Sequence, residues 1–108
     1  MPPFPNFAAL LAHLRQAEVV PRPEGETWPD LIQRITVPGR IHEIDQETYW
    51  WFLECLPPRW MSGGVFAFAE GAEPLRLFAR DSQHYVVRQL TWEETQVFCS
   101  LACIPLPY

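Results

Sequence analysis

The sequence contains no lysine: its 8 basic residues are all arginine, set against 13 acidic ones for a net charge of −5. Without lysine there is no Schiff-base nucleophile and no Walker-type phosphate grip. Duplex binding needs clustered cations that displace counterions from phosphates, so this balance argues against duplex nucleic acid as a partner. Also missing is any apolar run approaching the ~20 residues that cross a bilayer, which argues against a membrane partner. The opening MPPFPNF lacks the charged and apolar regions of a signal peptide, and Cys55, Cys99 and Cys103 are an odd number of cysteines. The expectation is a cytoplasmic protein with reduced thiols. No repeat or low-complexity segment is present.

What is there is a globular composition, 48% hydrophobic and 19% charged, in 108 residues. That length supports one domain, 1–108, around a single core. Its 12 prolines, about twice the usual share, punctuate the chain. In NFAALLAHLRQAE (6–18), Phe7, Leu10, Leu11 and Leu14 repeat at helical spacing behind a candidate cap, Asn6. TWPDLIQRI opens a second helix with Thr27 capping, Pro29 in its first turn, and Trp28, Leu31, Ile32 and Ile35 on one stripe. RIHEI (40–44) alternates as a brief extended segment. Asp45 caps a third helix that Pro57 stops at or before Leu56, with Tyr49, Phe52, Leu53 and Leu56 facing the core.

After Gly63-Gly64 the hydrophobic period shortens to that of strands. The pattern predicts strands at 65–70, 74–80 and 84–90, joined by turns at Gly71–Pro74 and Asp81–Gln83. In the second strand Leu75, Leu77 and Ala79 face one way and Arg76, Phe78 and Arg80 the other, which predicts one core face and one partly solvated face. TWEETQVFCSLA closes with a capping box, Thr91 and Glu94, and an apolar stripe of Val97, Phe98 and Leu101. The fold expected is α+β: N-terminal helices, a three-stranded antiparallel meander, and a C-terminal helix packed back on it.

No cofactor, metal or catalytic residue is indicated. Cys99 and Cys103 stand at i, i+4, where Cys55 or His84 could complete a metal set, but their apolar neighbours read as inert buried thiols. His13, His42 and His84 lie on separate elements, and no nucleophile elbow of the G-x-S-x-G kind occurs. Trp50 and Trp51 fall off the core stripe of the third helix. With Glu54, Arg59 and Trp60 they outline a candidate partner-binding corner at the double proline. Glu54 reads as solvent-facing, paired with Arg59, or as a semi-buried carboxylate fixing an arginine. Arg76, Phe78 and Arg80 form a second candidate face of the arginine-plus-aromatic type on which single-stranded nucleic acid stacks.

The run Tyr49, Phe52, Leu53, Glu54, Leu56, Pro57, Pro58 resembles the mark, Tyr-x-x-Phe-Leu-Glu-x-Leu-Pro-Pro, of a family of small uncharacterised proteobacterial proteins common on plasmids, phages and other mobile elements. The resemblance extends through Gly63–Glu70 to Phe78, covering residues 48–88. It implies an accessory protein of a mobile element and supplies no catalytic residue. The function expected is a non-enzymatic protein-binding module that inhibits a host defence or replication complex, as anti-CRISPR and anti-restriction proteins do. A homo-oligomer through the same corner, a single-stranded nucleic-acid binder on the Arg76/Phe78/Arg80 face, and a small enzyme with a spatially assembled site are the competing readings.

Overall fold

Helices on both sides of one twisted sheet make up the protein, as seen in a computed structural model that describes residues 4–80 and 84–107. In chain order the elements are α1 (Phe7–Leu14), β1 (Val19–Val20), α2 (Trp28–Ile35), β2 (Ile41–Ile44), α3 (Gln46–Cys55), β3 (Trp60–Ser62), β4 (Val65–Phe68), β5 (Arg76–Arg80), β6 (Tyr85–Gln89) and α4 (Trp92–Ala102). The sheet order is β1-β2-β6-β5-β4-β3, with β1 parallel to β2 and every other pair antiparallel. The α+β class stands. The three-stranded meander does not: the described residues form a six-stranded mixed sheet.

The caps explain where the helices begin. Asn6 and Asp45 each accept from a first-turn backbone N–H, while Thr27 with Asp30 and Thr91 with Glu94 form full capping boxes. Three added strands account for the corrected topology. Gly63 and Gly64, at φ 54° and 82°, form the left-handed two-residue loop that twisted hairpins favour, so Trp60–Ser62 folds back on β4. The alternating segment Ile41–Ile44 pairs with β6 and draws Val19–Val20 beside it. The turn expected at Asp81–Gln83 lies outside the described residues.

Neither face of the central strands is solvated, which corrects the second expectation. Val65, Ala67, Leu75, Leu77 and Ala79 meet α1 and α4 through Leu10, Leu14, Phe98 and Cys99. On the opposite face Phe66, Phe68, Phe78 and Val87 meet α2 and α3 through Leu31, Ile35, Tyr49 and Phe52. Small residues in the first set admit α4 closely, whereas the second face is filled by rings: Phe66 and Phe78 stack at 4.6 Å with 3° between planes, and Phe52 lies 4.8 Å from Phe78.

Candidate functional site

α3 carries two consecutive tryptophans with different environments. Successive positions on a helix are about 100° apart, so one stripe cannot bury both. Trp50 is half-buried against Tyr49, with the Arg80 guanidinium over its ring at 5.1 Å from the centroid. Trp51 remains 45% exposed. Its ring meets Trp28 edge-to-face at 4.9 Å, and both rings rest on buried Phe52, at 5.2 Å from Trp51 and 5.9 Å from Trp28.

Trp28 was expected on the core stripe of α2, yet it is 46% exposed. It occupies the first helical position, where the side chain leans toward the preceding loop, with which it lines a groove. Sequence periodicity does not register that end effect; the Thr-Trp-Pro order, which fixes Trp28 at the helix start, is the signal that could have revealed it.

Of the two indoles, Trp28 borders a groove of about 360 Å³ that is otherwise lined by the loop Arg22–Thr27, Leu31, Asp45 and Thr48. That loop is pinned from three sides. The Arg22 guanidinium donates to Asp45 at 2.8 Å, and the Arg22 backbone N–H donates to Glu43 at 3.3 Å. Arg34 donates to both carboxylate oxygens of Glu26, at 2.6 and 2.8 Å, and also to the Glu43 carbonyl at 3.0 Å. The bidentate pair is largely buried, unlike Arg22–Asp45, whose side chains are 48% and 39% exposed and whose strength is correspondingly screened. The Glu43 carboxyl is held below its usual range by the Arg22 backbone N–H and then by His84, 3.1 Å away. Hydrogen bonds from Thr48 and Arg22 lower the Asp45 carboxyl although its burial acts in the opposite sense.

Apart from Arg22, which is paired with Asp45, the charges flanking the indoles are acidic. Glu47 and Glu54 lie four before and three after Trp51 on α3, on its side of the helix, and both are exposed; Glu24 lines the groove beside Trp28. α3 has no basic residue, so Glu54 sits in its last turn against the helix dipole. Glu54 makes no ion pair with Arg59 among the described residues.

The other sequence candidates disperse. Trp60 packs on the α1/α4 side, 5.2 Å from Phe7 and 5.4 Å from Phe98, so the double-proline corner does not join it to Trp50 or Trp51. Arg59 is exposed, and its backbone N–H donates to Ala67 at 2.8 Å. Phe78 is fully buried and Arg76 is 7% exposed, so the arginine-plus-aromatic sheet face lies beneath α2 and α3. Arg80, at the strand end, is exposed and covers Trp50.

The cysteines also separate. Cys99 is buried, and burial pushes its thiol up despite Arg59 nearby; Cys55 and Cys103 are exposed, which corrects the expectation that all three lie in apolar surroundings. Cys103 is the α4 C-cap in the left-handed conformation, so it leaves the i, i+4 line with Cys99. Among the described residues no group of His, Cys, Asp or Glu is arranged to hold a metal ion, and no helix is long and apolar enough to cross a membrane. Comparison with known proteins adds no relative: no family model, curated protein or solved structure matches the chain.

Proposed function

We propose that the protein is a non-enzymatic protein-binding module whose contact surface is the Trp28–Trp51 pair with its rim of Glu24, Glu47 and Glu54. The observation that carries this reading is two adjacent indoles, 46% and 45% exposed, on a rigid buried base. Tryptophan dominates interface hot spots because a large ring is desolvated at little cost in conformational freedom. The pinned loop beside it supplies a surface already in its bound shape.

The rim selects the partner's chemistry. Arg22, Arg34 and Arg88 are engaged by Asp45, Glu26 and Glu94, and Arg80 by Trp50, so little positive charge is left to offset the acidic rim. A complementary partner presents an apolar anchor flanked by arginine or lysine. That this partner is a host defence complex targeted by a mobile element rests on the motif at Tyr49–Pro58 alone.

Cys55 provides the test. It is exposed and lies four residues after Trp51, on the same side of α3. A photo-crosslinker attached there in a Cys103→Ser background should capture a specific protein from source cells, and capture should vanish in Trp28→Ala and Trp51→Ala variants. Capture that persists in both variants rejects the surface. Sedimentation of the purified protein separates a foreign partner from a second copy of this chain.

A further inference from the structure

A second cleft, of about 410 Å³, opens where the loop after α2, the β4–β5 turn and the β6–α4 junction meet. Pro38, Pro74, Leu90 and Trp92 supply apolar walls, while Glu73, Arg76 and Gln89 supply the polar groups. It shares no lining residue with the groove beside Trp28.

Arg76 and Gln89 are cross-strand neighbours, each 7% exposed. The Gln89 amide nitrogen donates to the carbonyls of Pro74, Leu75 and Leu90, at 3.2, 3.1 and 3.2 Å. Its oxygen is therefore fixed toward Arg76 and accepts from Nε at 2.9 Å. This hydrogen bond sets the plane of the guanidinium and leaves the Nη donors for other partners. Among the described residues only Glu73 forms an ion pair with them, at 4.0 Å from Nη2, beyond hydrogen-bond length, on a side chain that is 58% exposed. The Nη groups are not among the buried atoms left without a partner, so they open onto the cleft, where a ligand's carboxylate can take the place of water on a guanidinium fork that matches it. Burial holds the Arg76 pKa below its ordinary value, with Glu73 and Glu70 opposing that shift.

We propose that this cleft binds a small monocarboxylic acid with an apolar, ring-sized body, its carboxylate held by the Nη groups of Arg76 and its body lying between Trp92, Leu90 and the two prolines. The volume falls within the ~300–1,000 Å³ typical of small-molecule sites. Glu73 limits the ligand's charge, because its carboxylate repels dianions and phosphates more strongly than a single negative charge. Glu73 thus acts as a weak, displaceable occupant of the position the ligand's carboxylate takes.

Phenylacetate and its neutral counterpart phenylacetamide are suitable probes, titrated against the full chain while the assigned indole N–H signals are followed by NMR. Phenylacetate should bind with a Kd on the order of 1 mM and move the Trp92 signal, and phenylacetamide should bind at least about 10-fold more weakly. Glu73→Gln, a surface change, should tighten phenylacetate several-fold, and Arg76→Gln should abolish binding. Equal affinity for acid and amide, no tightening in Glu73→Gln, or no binding of phenylacetate by ~20 mM overturns the proposal. Because Glu73→Gln leaves the buried pair intact, the test holds even if Arg76→Gln fails to fold.

Discussion

The Arg80 guanidinium lies over the Trp50 ring, 5.1 Å from its centroid, and this contact separates the roles of two neighbouring tryptophans. Trp50 is covered from within the chain, so Trp51 alone of the α3 pair is offered to a partner. Arg80→Ala should uncover Trp50 at a cost of about 0.5–1 kcal/mol, the range of an exposed cation–π contact. Denaturant unfolding checks the cost. An unchanged midpoint would mean that the stacking contributes nothing to stability.

Phe52 joins the exposed indoles to the core, touching Trp28, Trp51, Phe68 and Phe78 while only 3% exposed itself. Phe52→Ala should destabilise the protein by roughly 3–5 kcal/mol, enough to unfold much of a domain this small. Near-UV circular dichroism at 25 °C and at lower temperature would reveal the loss of packed rings. A folded, fully cooperative variant would show that the ring stack is not what holds α3 to the sheet.

The third prediction concerns pH. His42 lies in β2 at 4% exposure, and neither ring nitrogen has a hydrogen-bond partner among the described residues. Burial, then the positive charges of Arg34 and Arg40, push its pKa below 6.5; the Val37 backbone, close by but outside hydrogen-bond geometry, and the Glu26 carboxylate oppose this too weakly to reverse it. The unfolded chain therefore takes up the proton more readily. Stability should be full above about pH 6.5 and fall as pH drops from there toward the lower folded pKa. His42→Leu should remove that slope, while the lowered carboxyls of Glu43 and Asp45 contribute their own loss only in more acidic solution. A wild-type midpoint that stays flat between pH 7 and pH 5, a window set by the histidine range, would show that His42 is not held neutral by the fold.

Much of the fold can be read from local chemistry. The four caps, Asn6, Thr27, Asp45 and Thr91, start the helices where the sequence places them, and Pro57 ends α3 as expected. What local pattern does not carry is pairing between distant segments. Val19–Val20 is too short to announce a strand, and Gly63-Gly64 serves equally as a breaker or a hairpin loop until Trp60–Ser62 finds β4. The candidate site divides in the same way. Trp51 falls off the apolar stripe by helix geometry alone, whereas Trp28 reaches it across the fold. Trp60 leaves the proposed corner because the hairpin turns it toward Phe7 and Phe98.

Cys103 ends α4 at φ 57°, the left-handed region that glycine enters without a Cβ penalty. Cys103→Gly should therefore raise stability by about 1 kcal/mol, read as a higher unfolding midpoint. A lower midpoint would mean that the thiol contributes more than its backbone strain costs.

Glu54→Lys separates folding from binding more cleanly than any tryptophan variant. Glu54 sits in the last turn of α3, where the helix dipole favours a cation, and three residues from Trp51 on the acidic rim. The reversal should raise the unfolding free energy by about 0.3–1 kcal/mol while weakening the affinity for the protein captured through Cys55 by more than about 1 kcal/mol. The decisive measurement is that affinity, titrated for wild type and Glu54→Lys at the same ionic strength. A stabilised variant with weakened binding is the result predicted for an acidic, tryptophan-centred docking face. A stabilised variant that binds as tightly as wild type, or more tightly, would contradict it.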